Sequence, residues 1–138
     1  MSSGDDHRAI EGLINDYAEG FRSLDAALLT RIWDKGYRDI IYTPIEHAEP
    51  LRGWPAIAAY YQRLTTLFSR VLLMQIGDLD IDLLGDTAYA FFTFRFVGEM
   101  HGEPGPFQTQ GRNTVLFRRT GAGWRGIHYH ESARPGRH

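Results

Sequence analysis

Trp124-Arg125-Gly126-Ile127-His128-Tyr129-His130-Glu131-Ser132 ends the last patterned segment of the chain, and its alternation decides where a pocket can lie. A Gly121-Ala122-Gly123 turn precedes it. Extended backbone sends successive side chains to opposite faces. This groups Trp124, His128, His130 and Ser132 on one face and Arg125, Ile127, Tyr129 and Glu131 on the other. One face is expected to line a pocket, and the other to pack on a neighbour or meet solvent.

Working outward, residues 71–84, 87–100, 107–120 and 123–133 read as long strands, parted by Gly85-Asp86, by the Gly/Pro-rich residues 101–106 and by residues 121–123. Upstream the period is helical. Ile10, Leu13, Ile14, Tyr17, Ala18 and Phe21 make one apolar stripe over residues 5–23, with Asp5 or Asp6 as cap. Ser23 and Asp25 open a short second helix bearing Leu28, Leu29, Ile32 and Trp33 and ending near Gly36. Residues 39–43 read as a short strand stopped by Pro44, and residues 45–53 as a polar loop with Glu46, His47 and Glu49. Pro55 suits the first turn of a third helix, whose apolar face runs through Ile57, Ala58, Tyr61, Leu64, Thr65 and Phe68. Helices followed by a long antiparallel meander are an α+β layout. A strongly curved sheet wrapped by those helices would enclose a cone-shaped cavity. One domain over residues 1–138 is expected, with 1–4 and 134–138 as flexible ends.

The composition narrows the function classes. A net charge of −2 with 23% charged residues, and arginines scattered along the chain, argue against a nucleic-acid binder. Lys35 is the single lysine among 15 basic residues, a compositional bias that says little about mechanism. The absence of cysteine excludes disulfides, thiolate metal sites and a cysteine nucleophile. No apolar run approaches the ~20 residues of a membrane span or forms a secretory signal, so a cytoplasmic protein without membrane partners is expected.

The order of elements, the length and the Gly-Trp-x-x-x-His-x-His-x-Ser ending resemble the nuclear transport factor 2-like superfamily over nearly the whole chain. The last strands are most similar to the association domain of calcium/calmodulin-dependent protein kinase II. Leu51-Arg52-Gly53 leading into Ala56-Ile57-Ala58-Ala59-Tyr60-Tyr61 is shared with ketosteroid isomerases and SnoaL-like polyketide cyclases. The resemblance implies a cone-shaped α+β barrel, a homodimer packed through its convex sheet, and no cofactor. It sets Tyr17 at the isomerases' oxyanion-hole tyrosine and Asn113 at their protonated aspartic acid, with Arg112 or Thr114 inward if the register slips by one. The isomerases' general base falls on Thr43, which cannot abstract a proton, so Glu46, His47 or Glu49 would have to substitute. The association domain's arginine after His-x-His falls on Glu131.

The resemblance also turns the Glu131 face toward the cavity. His128 and His130 then lie on the outer sheet face, and His-x-His alone is a weak metal signal, so no metal is expected. Glu131 at a cavity wall would have a raised pKa and could serve as general acid or base, unless Arg112 or Arg125 paired with it. Asp78, Asp80 and Asp82 alternate along one strand and read as exposed edge carboxylates. The reading is a small-molecule protein, an isomerase, cyclase or dehydratase for an apolar oxygenated substrate such as a polyketide- or steroid-like ring. Tyr17, Asn113, Glu131 and His47 are its candidate catalytic residues, in a pocket lined by Trp33, Thr43, Tyr61, Arg112, Val115, Ile127 and Tyr129. The alternative is a non-catalytic ligand-binding or association module.

Overall fold

The computed structural model describes residues 3–135. Helix α1 (Ser3–Arg22) is followed by α2 (Ala26–Thr30), β1 (Ile41–Thr43), β2 (Leu51–Arg52), α3 (Trp54–Leu67), β3 (Phe68–Leu84), β4 (Thr87–Met100), β5 (Phe107–Thr120) and β6 (Gly123–Ala133). Ser3 and Gly4 are helical, while residues 1, 2 and 136–138 of the expected ends lie outside the described residues. No described helix is long and apolar enough to cross a membrane.

The six strands form one open, mainly antiparallel sheet in the order β2-β1-β6-β5-β4-β3. Only β1 and β6 run parallel, with Tyr42 beside Tyr129 and Thr43 beside His130. Register shifts at three points in β3 bend the sheet, because an extra residue on one strand kinks it and increases its twist. The last shift, between Gly77 and Asp80, holds Asp78 at a φ of 51°, and the exposed Asp78 accepts a hydrogen bond from Thr93. The three helices lie against the curved sheet, an α+β fold.

The stripe predicted for α1 is buried, with Ile10, Ile14, Tyr17 and Ala18 at 1% exposure or less. Burying side chains of this size contributes about 1.5–3 kcal/mol for each large one. Asp6 is not a cap. It lies inside the first turn of α1 and accepts two hydrogen bonds from the Arg119 guanidinium (3.0 and 2.9 Å) and one from the Trp124 indole (3.1 Å). Asp25 does cap α2, accepting from the backbone N–H of Ala27 and Leu28. That helix stops at Thr30, short of the expected Gly36, because the chain next docks on β6: Gly126 N–H donates to Ile32 O and Asp34 N–H donates to Gly126 O. The loop expected over residues 45–53 contains the two-residue strand β2, paired to β1.

The opening stretch departs from simple alternation. Leu116 pairs with His128 but Phe117 pairs with Gly126, so Ile127 is an extra residue, a β-bulge. The bulge reverses the facing of everything before it. Trp124 therefore turns inward at 2% exposure instead of sharing the outer face with His128 and His130, which are exposed.

Candidate active site

The register of the sheet assembles the site. Phe92, Asn113 and Glu131 sit side by side across β4, β5 and β6, and the next inward row is Ala90, Val115 and Tyr129. The same register turns Arg112 and Thr114 outward, where the exposed Arg112 donates to Ala133 O. β1 adds Tyr42 next to Tyr129, α1 brings Tyr17 over this row, and α3 closes it with Tyr60 and Tyr61.

A cavity of about 470 Å³ opens from this wall. Tyr17, Asn113, Tyr129, Glu131 and His47 all border it. Phe21, Phe68, Met74, Phe94, Phe96 and Phe107 supply an apolar belt. Exposed lining residues, among them Arg63, Glu46 and Leu67, mark its mouth, together with the partly exposed His47. Tyr60 donates to the Glu46 carboxylate there, and the His47 ring meets the edge of Tyr60 at 5.2 Å.

The other residues expected to line the cavity do not. Thr43 is the outward neighbour of Tyr42 in β1, as strand alternation requires. Trp33 and Tyr61 form a second layer behind Tyr17 and Tyr42. Val115 is sealed in the core, Ile127 is taken up in the bulge, and Arg112 lies on the opposite sheet face.

Glu131 is the buried carboxyl of this wall. Its carboxylate accepts from the Ile45 backbone N–H at 3.0 Å and from the Tyr42 hydroxyl at 3.2 Å, at 9% exposure. Burial pushes its pKa up to about 8; the Ile45 N–H and the Tyr42 and Tyr129 hydroxyls oppose this, and the Glu46 charge adds to it. No arginine pairs with it in the described structure, so the ion-pair alternative with Arg112 or Arg125 is not realised. Arg125 instead donates to Trp124 O.

Behind Glu131 runs a chain of hydroxyls. Tyr42 and Tyr17 are 3.2 Å apart, Tyr17 and Tyr61 are 2.9 Å apart, and the Trp33 indole donates to Tyr61 at 3.0 Å. Each phenol has one proton, the indole only donates, and an ionised carboxylate only accepts. With Glu131 ionised the direction is therefore forced: Trp33 to Tyr61 to Tyr17 to Tyr42 to Glu131. The Tyr17 proton is then committed to Tyr42 and is not free for a bound carbonyl. Protonation of Glu131 lets the chain reverse, with Tyr42 accepting. Burial raises the pKa of Tyr17, Tyr42, Tyr61 and Tyr129, so all four remain phenols.

Sequence reasoning did not single out Tyr42. Its signal was present in the alternation of residues 39–43, where an inward Tyr42 follows from an outward Thr43. The Ile45 N–H had no sequence signal, since any residue but proline supplies one. Among the described residues no group of three or more His, Cys, Asp or Glu side chains could hold a metal ion.

The fold has counterparts among known structures. A protein of Streptomyces avermitilis named as a candidate dehydratase of the NTF2-like family superposes with a TM-score of 0.83 at 18% identity, covering 98% of this chain and 100% of that one. A candidate scytalone dehydratase of Novosphingobium aromaticivorans gives 0.81 at 14% identity, covering 94% and 84%. A candidate calcium/calmodulin-dependent protein kinase type II association domain of Thiobacillus denitrificans gives 0.69 at 18% identity, covering 91% and 94%. At these identities the likeness establishes the nuclear transport factor 2-like fold and nothing finer. Comparison with curated protein sequences yields no match. The SnoaL-like domain profile matches residues 10–135, nearly the whole chain, and the protein therefore belongs to the SnoaL-like domain family.

Proposed function

We propose that the protein is a cofactor-independent isomerase, cyclase or dehydratase that moves a proton next to a carbonyl on an apolar, oxygenated small molecule. The observation that carries this reading is Glu131, a carboxyl raised to about 8 at the wall of an apolar cavity. A proton-transfer group works best when its pKa lies near the working pH. In the dehydration form, neutral Glu131 gives its proton to the departing hydroxyl oxygen, which leaves with the C–O electron pair as water. His47 accepts the proton from the neighbouring carbon, whose C–H electrons become the new double bond. Proton return from His47 to Glu131 through solvent resets the site. The similar structures named as candidate dehydratases favour this form.

The test substrate is 3-hydroxy-1-tetralone, which loses water to give fluorescent 1-naphthol. Glu131→Gln keeps the size and neutrality of the acid but cannot transfer its proton, and a loss of about 100-fold or more in kcat with little change in KM is expected. Unchanged turnover would remove Glu131 from the mechanism. Saturable binding without turnover in the wild type would favour the non-catalytic ligand-binding reading.

The reading includes a homodimer through the convex sheet face. Two cross-strand rows lie there: Asp82, Tyr89, Leu116 and His128, and Asp80, Phe91, Thr114 and His130. Each is acidic at the β3 end and carries a histidine at the β6 end. A two-fold axis along the strands, between β4 and β5, would set each copy's aspartates over the other's histidines and bury Tyr89, Phe91 and Leu116 between them.

A further inference from the structure

On α3, Tyr60, Arg63, Leu64 and Leu67 fall three and four residues apart and border the cavity together. Three of these side chains suit an apolar chamber; Arg63 brings a charge. Among the described residues it is the one arginine or lysine at the cavity. Of the described arginines, Arg52, Arg63 and Arg95 alone make neither an ion pair nor a hydrogen bond. Arg52 and Arg95 lie away from the cavity, so the unengaged guanidinium at the mouth belongs to Arg63. The Glu46 carboxylate at the same mouth accepts from Tyr60 and forms no ion pair with Arg63. Leu67 and Phe107 border the opening at 52% and 39% exposure, so apolar surface continues from the inner belt out to the guanidinium.

We propose that the cavity takes a flat apolar acid, its ring seated in the aromatic and methionine belt and its carboxylate at the mouth on Arg63. The planar guanidinium offers a carboxylate two parallel N–H donors, and its stem packs on apolar surface while the charge stays in water. The acid end faces outward because the apolar interior does not solvate a charge. Glu46 at the mouth repels a dianion about twice as strongly as a monoanion, which favours a carboxylate over a phosphate. This deepens the functional reading above by naming the chemistry of its substrate; it rests on the same cavity but not on proton transfer by Glu131.

The probes are 2-naphthoate, its neutral isostere 2-naphthamide, and 2-naphthyl phosphate, with affinities measured by calorimetry at neutral pH and low salt. Wild-type protein is expected to bind 2-naphthoate about 3- to 10-fold more tightly than 2-naphthamide, the range of a charge-assisted pair that solvent still reaches. That gap should close near 1 M salt, where charges are screened beyond about 3 Å. Arg63→Met, which keeps an unbranched stem, should erase the preference by weakening 2-naphthoate alone, and Arg63→Lys should retain part of it. Comparing the two probes within each variant cancels any effect on the fold. Equal binding of 2-naphthoate and 2-naphthamide by the wild type, a preference that survives in Arg63→Met, or tighter binding of the phosphate overturns the proposal. Glu131→Gln provides the separation: if it leaves turnover intact while the Arg63-dependent preference persists, the catalytic reading fails and the acid-binding site stands.

Discussion

Two carboxyl groups of this chain are shifted in opposite directions, and the difference is set by their partners. Asp6 is held down to about 2, first by the Arg119 hydrogen bonds and then by the Trp124 indole, whereas burial raises Glu131 to about 8. The depressed Asp6 stabilises the fold above its ordinary value of 3.8, and that contribution is lost as the pH falls toward 2. The raised Glu131 contributes stability that is complete below 4.5 and is lost as the pH rises toward 8. From these two groups alone stability in denaturant melts is highest near pH 4–5; the lowered His128 opposes the decline as the pH rises toward 6.5, and Glu131→Gln should remove the falling contribution between about 5 and 8. A wild-type curve that stays level over that range would contradict the buried acid. Tyr42→Phe removes a hydrogen bond that favours the ionised form, so the Glu131 pKa should move further up. The upper limb of the pH-rate profile, or a carboxyl carbon shift followed by NMR, reads this directly.

At the scale of elements, the bulge at Ile127 lets β6 serve two purposes. Trp124 before it faces inward to hold α1 through Asp6, and Tyr129 and Glu131 after it face inward to build the cavity wall. Strict alternation could not place all three on one side. The pairing of β5 with β6 near the site also depends on a close approach at Gly111. A Cβ there would lie 2.5 Å from the Phe94 ring and 2.9 Å from the Ser132 carbonyl oxygen, which is backbone and cannot swing away. Gly111→Ala should thus destabilise the protein by about 1–3 kcal/mol in urea titrations, the usual cost of overpacking. A neutral effect would mean that the two strands separate more easily than their pairing suggests.

For the whole molecule, the proposed two-fold pairing of convex faces predicts a dimer of about twice 15.8 kDa in sedimentation or light scattering. Leu116→Glu, at the centre of the Asp82-to-His128 row and 36% exposed in the single chain, should yield monomers that keep their fold. A monomeric wild type at micromolar concentration would set the convex face free for another role.

The fold was legible in the sequence because its signals are local and repeated. Apolar spacing marks α1 and α3, and Gly-bearing turns bound β4, β5 and β6 at the residues the structure gives. The inward direction of Tyr129 and Glu131 followed once the last strand was set beside its relatives. Long-range geometry was not legible. The extra residue at Ile127, the docking of residues 32–34 on Gly126, and the bond from Ile45 to Glu131 each depend on how distant segments meet. Periodicity and turn chemistry act within a few residues, so the sequence by itself determined the element order and the α+β class, while the inward face of β6 came from the resemblance and holds only beyond the bulge. Hydrogen-bond direction, burial and the raised Glu131 acid arise only when strands, helices and loops far apart in the chain exclude water together, and the tertiary structure decided those.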